Sequence, residues 1–233
     1  MKKLIVVLAA LSLLAAVAQA QDVVPNVSGG SKALLFSFNG LAYLGAGNFE
    51  GGFGAKYFLT SDLALRAGLS FGTASHTLAT NPTPPLTGTD GSQSATMFGV
   101  AAGVEFHPGK GRVSPYFGGG AQFTTTSTEY KSAEIGNPPG PQDVYKNRST
   151  GESINGTTYY GRTDISAYAL AGVEFFLYKE LSIAAEYRLG FMTGGAKDQE
   201  YTPGGGTTVT TKSGGTTAFG IESAGTLTLA VYF

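Results

Sequence analysis

Apolar residues recur at every second position along most of this chain, which is the period of a β-strand. Leu63, Leu65, Ala67, Leu69 and Phe71 share one face, and Asp62, Ala64, Arg66, Gly68, Ser70 and Gly72 share the other. Phe98, Val100, Ala102, Val104 and Phe106 repeat the pattern. So do Ile165, Ala167, Ala169, Ala171, Val173, Phe175 and Leu177, then Leu181, Ile183, Ala185, Tyr187, Leu189 and Phe191. Segments near 33–44, 49–59, 113–127 and 216–233 follow it less cleanly, and the total is eight strands. Glycines scattered through the segments argue against helix, where each costs about 1 kcal/mol.

The connections alternate in length. Short ones fall at Thr60-Ser61, at 108–111 and at Lys179-Glu180. Long ones fall at about 75–92, 128–162 and 194–214, and the first hairpin, near 45–48, is the short exception on the long side. The long loops are rich in Thr, Ser, Gly, Asn and Pro. The peptide Ala102-Gly103-Val104-Glu105-Phe106 recurs as Ala171-Gly172-Val173-Glu174-Phe175. This reads as two strands doing the same job at the same depth.

Composition decides which face points inward. Charged residues are only 13% of the 233 and glycine numbers 35, against about 25% and about 7% in ordinary soluble domains. Mean hydropathy is nevertheless +0.05. The non-apolar faces carry Gly, Ala, Ser, Thr and Tyr with about one charge per strand, too few for a watered exterior, which is about 25–35% charged. Small residues suit a cramped lumen instead, so the apolar faces point outward into lipid. With no cysteine, disulfide scaffolds, thiolate metal sites and thiol catalysis are excluded. Lys2 and Lys3, the apolar run 4–14 and Ala18-Gln19-Ala20 read as a signal peptide, residues 1–20. Its removal leaves 13 basic and 16 acidic residues, a formal net charge of −3. The balance offers nothing to nucleic acid.

In lipid every backbone group must be paired within the chain, so the strands have to close on themselves. The expected fold is all-β: an eight-stranded antiparallel transmembrane β-barrel with short periplasmic turns and longer extracellular loops. Aromatic residues cluster near the short-turn ends (Tyr57, Phe58, Phe106, Phe117, Phe175, Phe176, Tyr178, Tyr232, Phe233) and toward the long-loop ends (Tyr43, Phe49, Phe71, Phe98, Phe191, Phe219), as interfacial girdles do. The tail Leu227-Thr228-Leu229-Ala230-Val231-Tyr232-Phe233 resembles the C-terminal assembly signal of outer-membrane barrels, carried by Leu227, Leu229, Val231 and Phe233. With the signal peptide and eight strands, the chain resembles the small OmpA/OmpX/OmpW-like barrels without a peptidoglycan-binding domain. The resemblance implies residence in the bacterial outer membrane and recognition by the barrel-assembly machinery. The expected organisation is a signal peptide at 1–20, an N-terminal periplasmic segment at 21–32 and the barrel at 33–233.

The interior of such a barrel is just wide enough for side chains. The expected lumen charges are Lys56, Arg66, Glu105, Glu174, Glu186 and Arg188. Lys56 and Arg66 flank one short turn and Glu174 and Glu186 another, on strands that lie opposite each other in a ring of eight. A basic pair would then face an acidic pair, with Arg188 supporting Glu186 and Glu105 supporting Arg66. Such a network would plug the lumen.

Little else suggests chemistry. His107 precedes Pro108 and reads as interfacial. His76 sits beside Ser75 at the outer rim, but His76-Thr77-Leu78 fails the His-x-Ser pattern of barrel deacylases. No catalytic residue, metal site or cofactor is expected. Asn147-Arg148-Ser149 and Asn155-Gly156-Thr157 match glycosylation sequons by accident. Glu129, Glu134, Asp143 and Glu152 read as solvated loop acids. Tyr130, Tyr145, Tyr159 and Tyr160 make loop 128–162 the candidate contact for a host or surface ligand, though an ordinary mobile loop is the plainer reading. The expected partners are otherwise outer-membrane lipid and lipopolysaccharide. The expected function is a non-enzymatic structural or surface-interaction role. The alternative is a narrow, porin-like pore or a transporter of small or hydrophobic compounds.

Overall fold

The structure is a computed structural model that describes residues 25, 27–38, 48–109, 111–221 and 226–233. The expected signal peptide, Tyr43 and most of the first hairpin lie outside these residues. The described strands that build the ring are β1 (Lys32–Phe38), β2 (Asn48–Phe58), β3 (Leu63–Leu78), β4 (Gly91–Phe106), β5 (Val113–Lys131), β6 (Arg162–Tyr178), β7 (Leu181–Ala196) and β8. The last runs in two segments, Gly215–Ile221 and Thr226–Tyr232. Each strand pairs antiparallel with the next. Ala33 opposite Tyr232 and Phe38 opposite Leu227 then join β1 to β8 and close the ring.

Parity follows the sequence pattern. Phe53, Leu69, Phe98, Val104, Ile165 and Phe191 are exposed around the outside. A soluble monomer seldom leaves more than a few hundred Å² of contiguous apolar surface uncovered, so an apolar band around the whole ring requires lipid. The strands outrun the visible alternation. Above Phe71 the outward positions are Thr73, Ser75 and Thr77, and on β4 they are Thr96, Ser94 and Ser92. Backbone pairing nevertheless continues to Leu78 and Gly91. At 16 residues each, β3 and β4 exceed the roughly 9–11 residues a tilted strand needs to cross. Their upper ends rise into water, where an outward side chain need not be apolar. The connecting loop shrinks accordingly to 79–90.

The eighth strand is not one uniform run. Leu189 faces Ile221 and Glu186 faces Thr226, so three steps along β7 match five along β8. Three aromatic residues assigned to the lower girdle face inward. Phe58, Phe176 and Tyr232 are buried with Ala33, Leu35, Ala64 and Ala230 at the periplasmic end. They have the inward parity of their strands, whereas Tyr57, Phe117, Tyr178 and Phe233 do lie outside.

The loops are folded rather than loose. Thr87–Thr89 pairs with Glu134–Gly136. Val144–Lys146 pairs with the upper end of β5, Gln199–Thr202 pairs with Val144–Lys146, and Val209–Thr211 pairs with Gln199–Thr202. The barrel wall therefore continues outward as a small sheet. Glu152–Ile154 and Thr157–Tyr159 form a hairpin, and its tip, Asn155-Gly156, holds positive φ at both residues (50° and 82°). Asn-Gly is the dipeptide that a two-residue hairpin turn of this kind favours.

Two tyrosines fill the lumen by lying over glycines on the neighbouring strand. Tyr116 faces Gly172 and Tyr168 faces Gly120 across the β5–β6 pair. A Cβ at Gly172 would overlap the Tyr116 ring, and one at Gly120 would stand 2.8 Å from the Tyr168 hydroxyl. Gly172→Ala should therefore cost about 1–3 kcal/mol, the usual range for overpacking. The expected result is a lowered urea midpoint of the refolded barrel in detergent micelles.

Candidate functional site

The inner faces of β2 to β7 bring all six expected charges into one connected layer near the periplasmic end. Each is on an inward position of its strand, and the small Gly, Ala and Ser residues around them leave room for long side chains to cross. Lys56 Nζ lies 2.7 Å from Glu105 Oε2 and 3.3 Å from Glu174 Oε2. Arg66 Nη1 lies 3.0 Å from Glu105 Oε1 and 2.6 Å from Glu186 Oε2. Arg188 Nε donates to Glu186 Oε1 at 2.7 Å, and its Nη1 donates to Gln122 Oε1 at 3.3 Å. The three carboxylates are almost fully buried, at about 1% side-chain exposure each. Three cations balance three anions among these six, with each carboxylate also bonded to a further side chain.

Those further partners are not evident from the sequence. Tyr116 donates its hydroxyl to Glu186 at 3.1 Å. Tyr232 donates to Glu174 at 2.6 Å, and Ser182 donates to the same oxygen. His107 is not interfacial. It is 3% exposed, its Nε2 is hydrogen-bonded to Glu105 at 3.2 Å and its Nδ1 to Ser114 at 3.3 Å. It also stacks on Tyr116 with ring centres 5.2 Å apart. Parity held the signal, because His107 is two residues beyond Glu105 and Tyr232 two beyond Ala230. Both fell at strand ends, where alternation stops being persuasive.

Glu105, His107 and Ser114 thus make a carboxylate–imidazole–hydroxyl chain. The Ser114 hydroxyl donates to Gly109 O at 2.8 Å, away from the imidazole, and Glu105 is held by Lys56 and Arg66. This is the geometry of a tether and not of an activated nucleophile. His76 is exposed on β3 opposite Gln93, with no serine or carboxylate partner among the described residues.

A second cluster lies at the outer mouth. Hairpin 152–159 enters the ring, where Ile154 is fully buried against Ala74 and Ala95, with Tyr159 packed on them. Glu152 is completely buried and not the solvated loop acid its sequence context suggests. Arg148 grips it with two bonds of 2.7 Å. Those hydrogen bonds raise the Arg148 pKa above its ordinary value. The guanidinium lies 4.1 Å from the centre of the Tyr130 ring. Across three strands Tyr130 meets Tyr145 edge-on and Tyr145 stacks on Tyr201, with centres 5.8 and 4.5 Å apart. Asn147, in a sequon match, has φ 51°. It links β5 to the last long loop, accepting from Thr128 N and donating to Asp198 O. Of the other loop acids, Asp143 accepts from Tyr201 and Gly204 N, Glu134 from Ser132, and Glu129 pairs with Lys131.

A closed antiparallel ring with an apolar belt, short turns at one end and folded loops at the other defines a transmembrane barrel of the outer-membrane type. The family model for the outer membrane protein beta-barrel domain matches residues 6–211. The chain belongs to that family, and its place is the bacterial outer membrane. No curated protein matches it.

Two outcomes follow from the geometry. Glu186→Ala leaves Arg66 and Arg188 short of their shared carboxylate, so it should cost about 3–5 kcal/mol. Glu129→Ala breaks a half-exposed pair and should cost less than about 1 kcal/mol. Urea titration in micelles compares them. Glu152→Gln should loosen the mouth hairpin alone. Hydrogen exchange of residues 152–159 should then rise about tenfold or more, equivalent to about 1.4 kcal/mol of local opening, while β3 to β7 stay protected.

Proposed function

We propose that this barrel is a closed, non-enzymatic outer-membrane protein with a structural or surface-interaction role. The observation that carries the reading is the cross-lumen ion-pair layer. Lys56 and Arg66 from β2 and β3 reach Glu174 and Glu186 from β6 and β7. These pairs span the lumen, and the aromatic floor of Phe58, Phe176 and Tyr232 lies at the same end. Moving hydrated ions through would require separating buried pairs, at several kcal/mol each. The layer therefore acts as a plug.

The surface-interaction part rests on the loops. Leu86, Ile135, Tyr160 and Val209 are exposed on the outer side, next to a sheet rigid enough to present them. Loop 128–162, with Tyr160 at its exposed end, is the segment we assign to a host or surface ligand. Lipid and lipopolysaccharide would meet the apolar belt and its upper rim. The alternating tail Leu227, Leu229, Val231 and Phe233, all on the outer face, suits recognition by the barrel-assembly machinery.

Planar-bilayer recording tests the closed lumen against the narrow-pore reading. The refolded protein should show no steady open state at about 100 mV, the scale on which a crossing charge gains about 2.3 kcal/mol. A variant whose mouth hairpin 152–159 is replaced by a short Gly-Ser linker should remain non-conducting, because the ion-pair layer is intact. A steady ion-permeable state in either protein would establish a pore.

A further inference from the structure

Above the charged layer the lumen is not filled. A cavity of about 140 Å³ lies there, with Arg66, Arg188, Ser70, Gln122, Thr124 and Tyr168 among its lining residues and no Asp or Glu among the described ones. That is room for several waters. Its position follows from strand order. Arg66, Ser70 and Ala74 succeed one another up β3, and Gln122, Thr124 and Thr126 up β5. The ion pairs are below the cavity, and Ala74, Thr126 and Tyr159 surround a smaller pocket above it. Met97 borders both.

The described lining is cationic, although the six lumen charges balance three against three. Charge is separated by depth: the carboxylates are about 1% exposed, while Arg66 and Arg188 are 12% and 14% exposed. Arg66 gives Nη1 to Glu105 and Glu186, and Arg188 gives Nε to Glu186 and Nη1 to Gln122. A guanidinium carries five N–H donors in a fork that matches carboxylate and phosphate oxygens. Each arginine therefore keeps donors beyond these bonds. The Arg188 guanidinium is also steadied 4.6 Å from the centre of the Tyr168 ring, and neighbouring hydroxyls supply further donors.

We propose that this chamber binds a small oxyanion, a carboxylate or a phosphate, which enters from the outer side when the mouth hairpin 152–159 lifts. The two arginines take the anion's oxygens, and Ser70 and Thr124 hydrogen-bond its remaining edge. The hairpin contacts β3, β4 and β5 above the chamber, so access depends on it and on the Arg148–Glu152 clasp. The proposal goes beyond the closed-lumen reading and stands apart from it, because anion binding is measured without any current across the membrane.

The test is titration of the refolded chain in zwitterionic micelles with inorganic phosphate and, separately, with acetate, at ionic strength held constant with chloride. Arginine side-chain N–H resonances report occupancy. The hairpin-replaced protein should bind at least one of the two saturably, with the Arg66 and Arg188 signals shifting together. The intact chain should bind the same probe more slowly. Saturation by acetate alone assigns the site to carboxylates, and saturation by phosphate alone assigns it to phosphates. Arg188→Gln should weaken binding tenfold or more. Thr124→Val lies outside the ion pairs, so it tests the chamber without disturbing them and should weaken binding several-fold. The proposal fails if neither anion saturates the hairpin-replaced protein. It also fails if binding is unchanged in both variants.

Discussion

Lipid offers no hydrogen-bond partner to a backbone amide, and the whole structure follows from that deficit. Each strand has to be paired on both sides, so the sheet must close. Eight strands close with an interior so narrow that inward side chains meet across it. Glycine, alanine and serine therefore dominate the inner face, and an aromatic ring laid across it needs a small residue opposite. Tyr116 over Gly172 and Tyr168 over Gly120 meet that requirement on adjacent strands. The low charge and high glycine content of the chain are consequences of closure.

The same narrowness makes the six lumen charges interdependent. Lys56 and Arg66 sit directly opposite each other on β2 and β3, where like charges repel. Glu105, from the next strand, accepts both. Each cation then reaches a second carboxylate on the far wall. The glycine at 172 connects packing to electrostatics, since it admits the Tyr116 ring whose hydroxyl bonds Glu186. Burying six charges is costly in itself, and a well-packed apolar core can be as stable. What the layer adds is cross-bracing between opposite walls, and a single replacement strands a largely buried charge.

The fold was legible because lipid imposes a strict two-residue period on the outer face. The six charges were legible for a related reason. On strands otherwise made of small residues they stood out at inward positions, and the ring order decided which strands lay opposite. Legibility failed where lipid no longer acts. The upper ends of β3 and β4 carry Thr and Ser on the outer face and small or polar residues on the inner, so their pairing leaves little hydropathy signature. His107, Phe58, Phe176 and Tyr232 obeyed parity but lay at strand ends, where an aromatic ring reads equally well as a girdle. The mouth hairpin had a clear local signal in Asn155-Gly156. Its destination inside the ring depended on a bonded partner, Arg148 for Glu152, and on a cavity edge at Ala74 and Ala95. No short-range pattern encodes either.

The central claim is that the charged layer couples opposite walls of the barrel. A double-mutant cycle between Lys56 and Glu174, using Lys56→Met, Glu174→Gln and the combination, measures that coupling directly from urea unfolding in micelles. The account predicts an interaction of about 1 kcal/mol or more, with the double variant more stable than the two single losses imply. Single effects that add to within about 0.5 kcal/mol would mean the two walls are not coupled through this pair, and would contradict it.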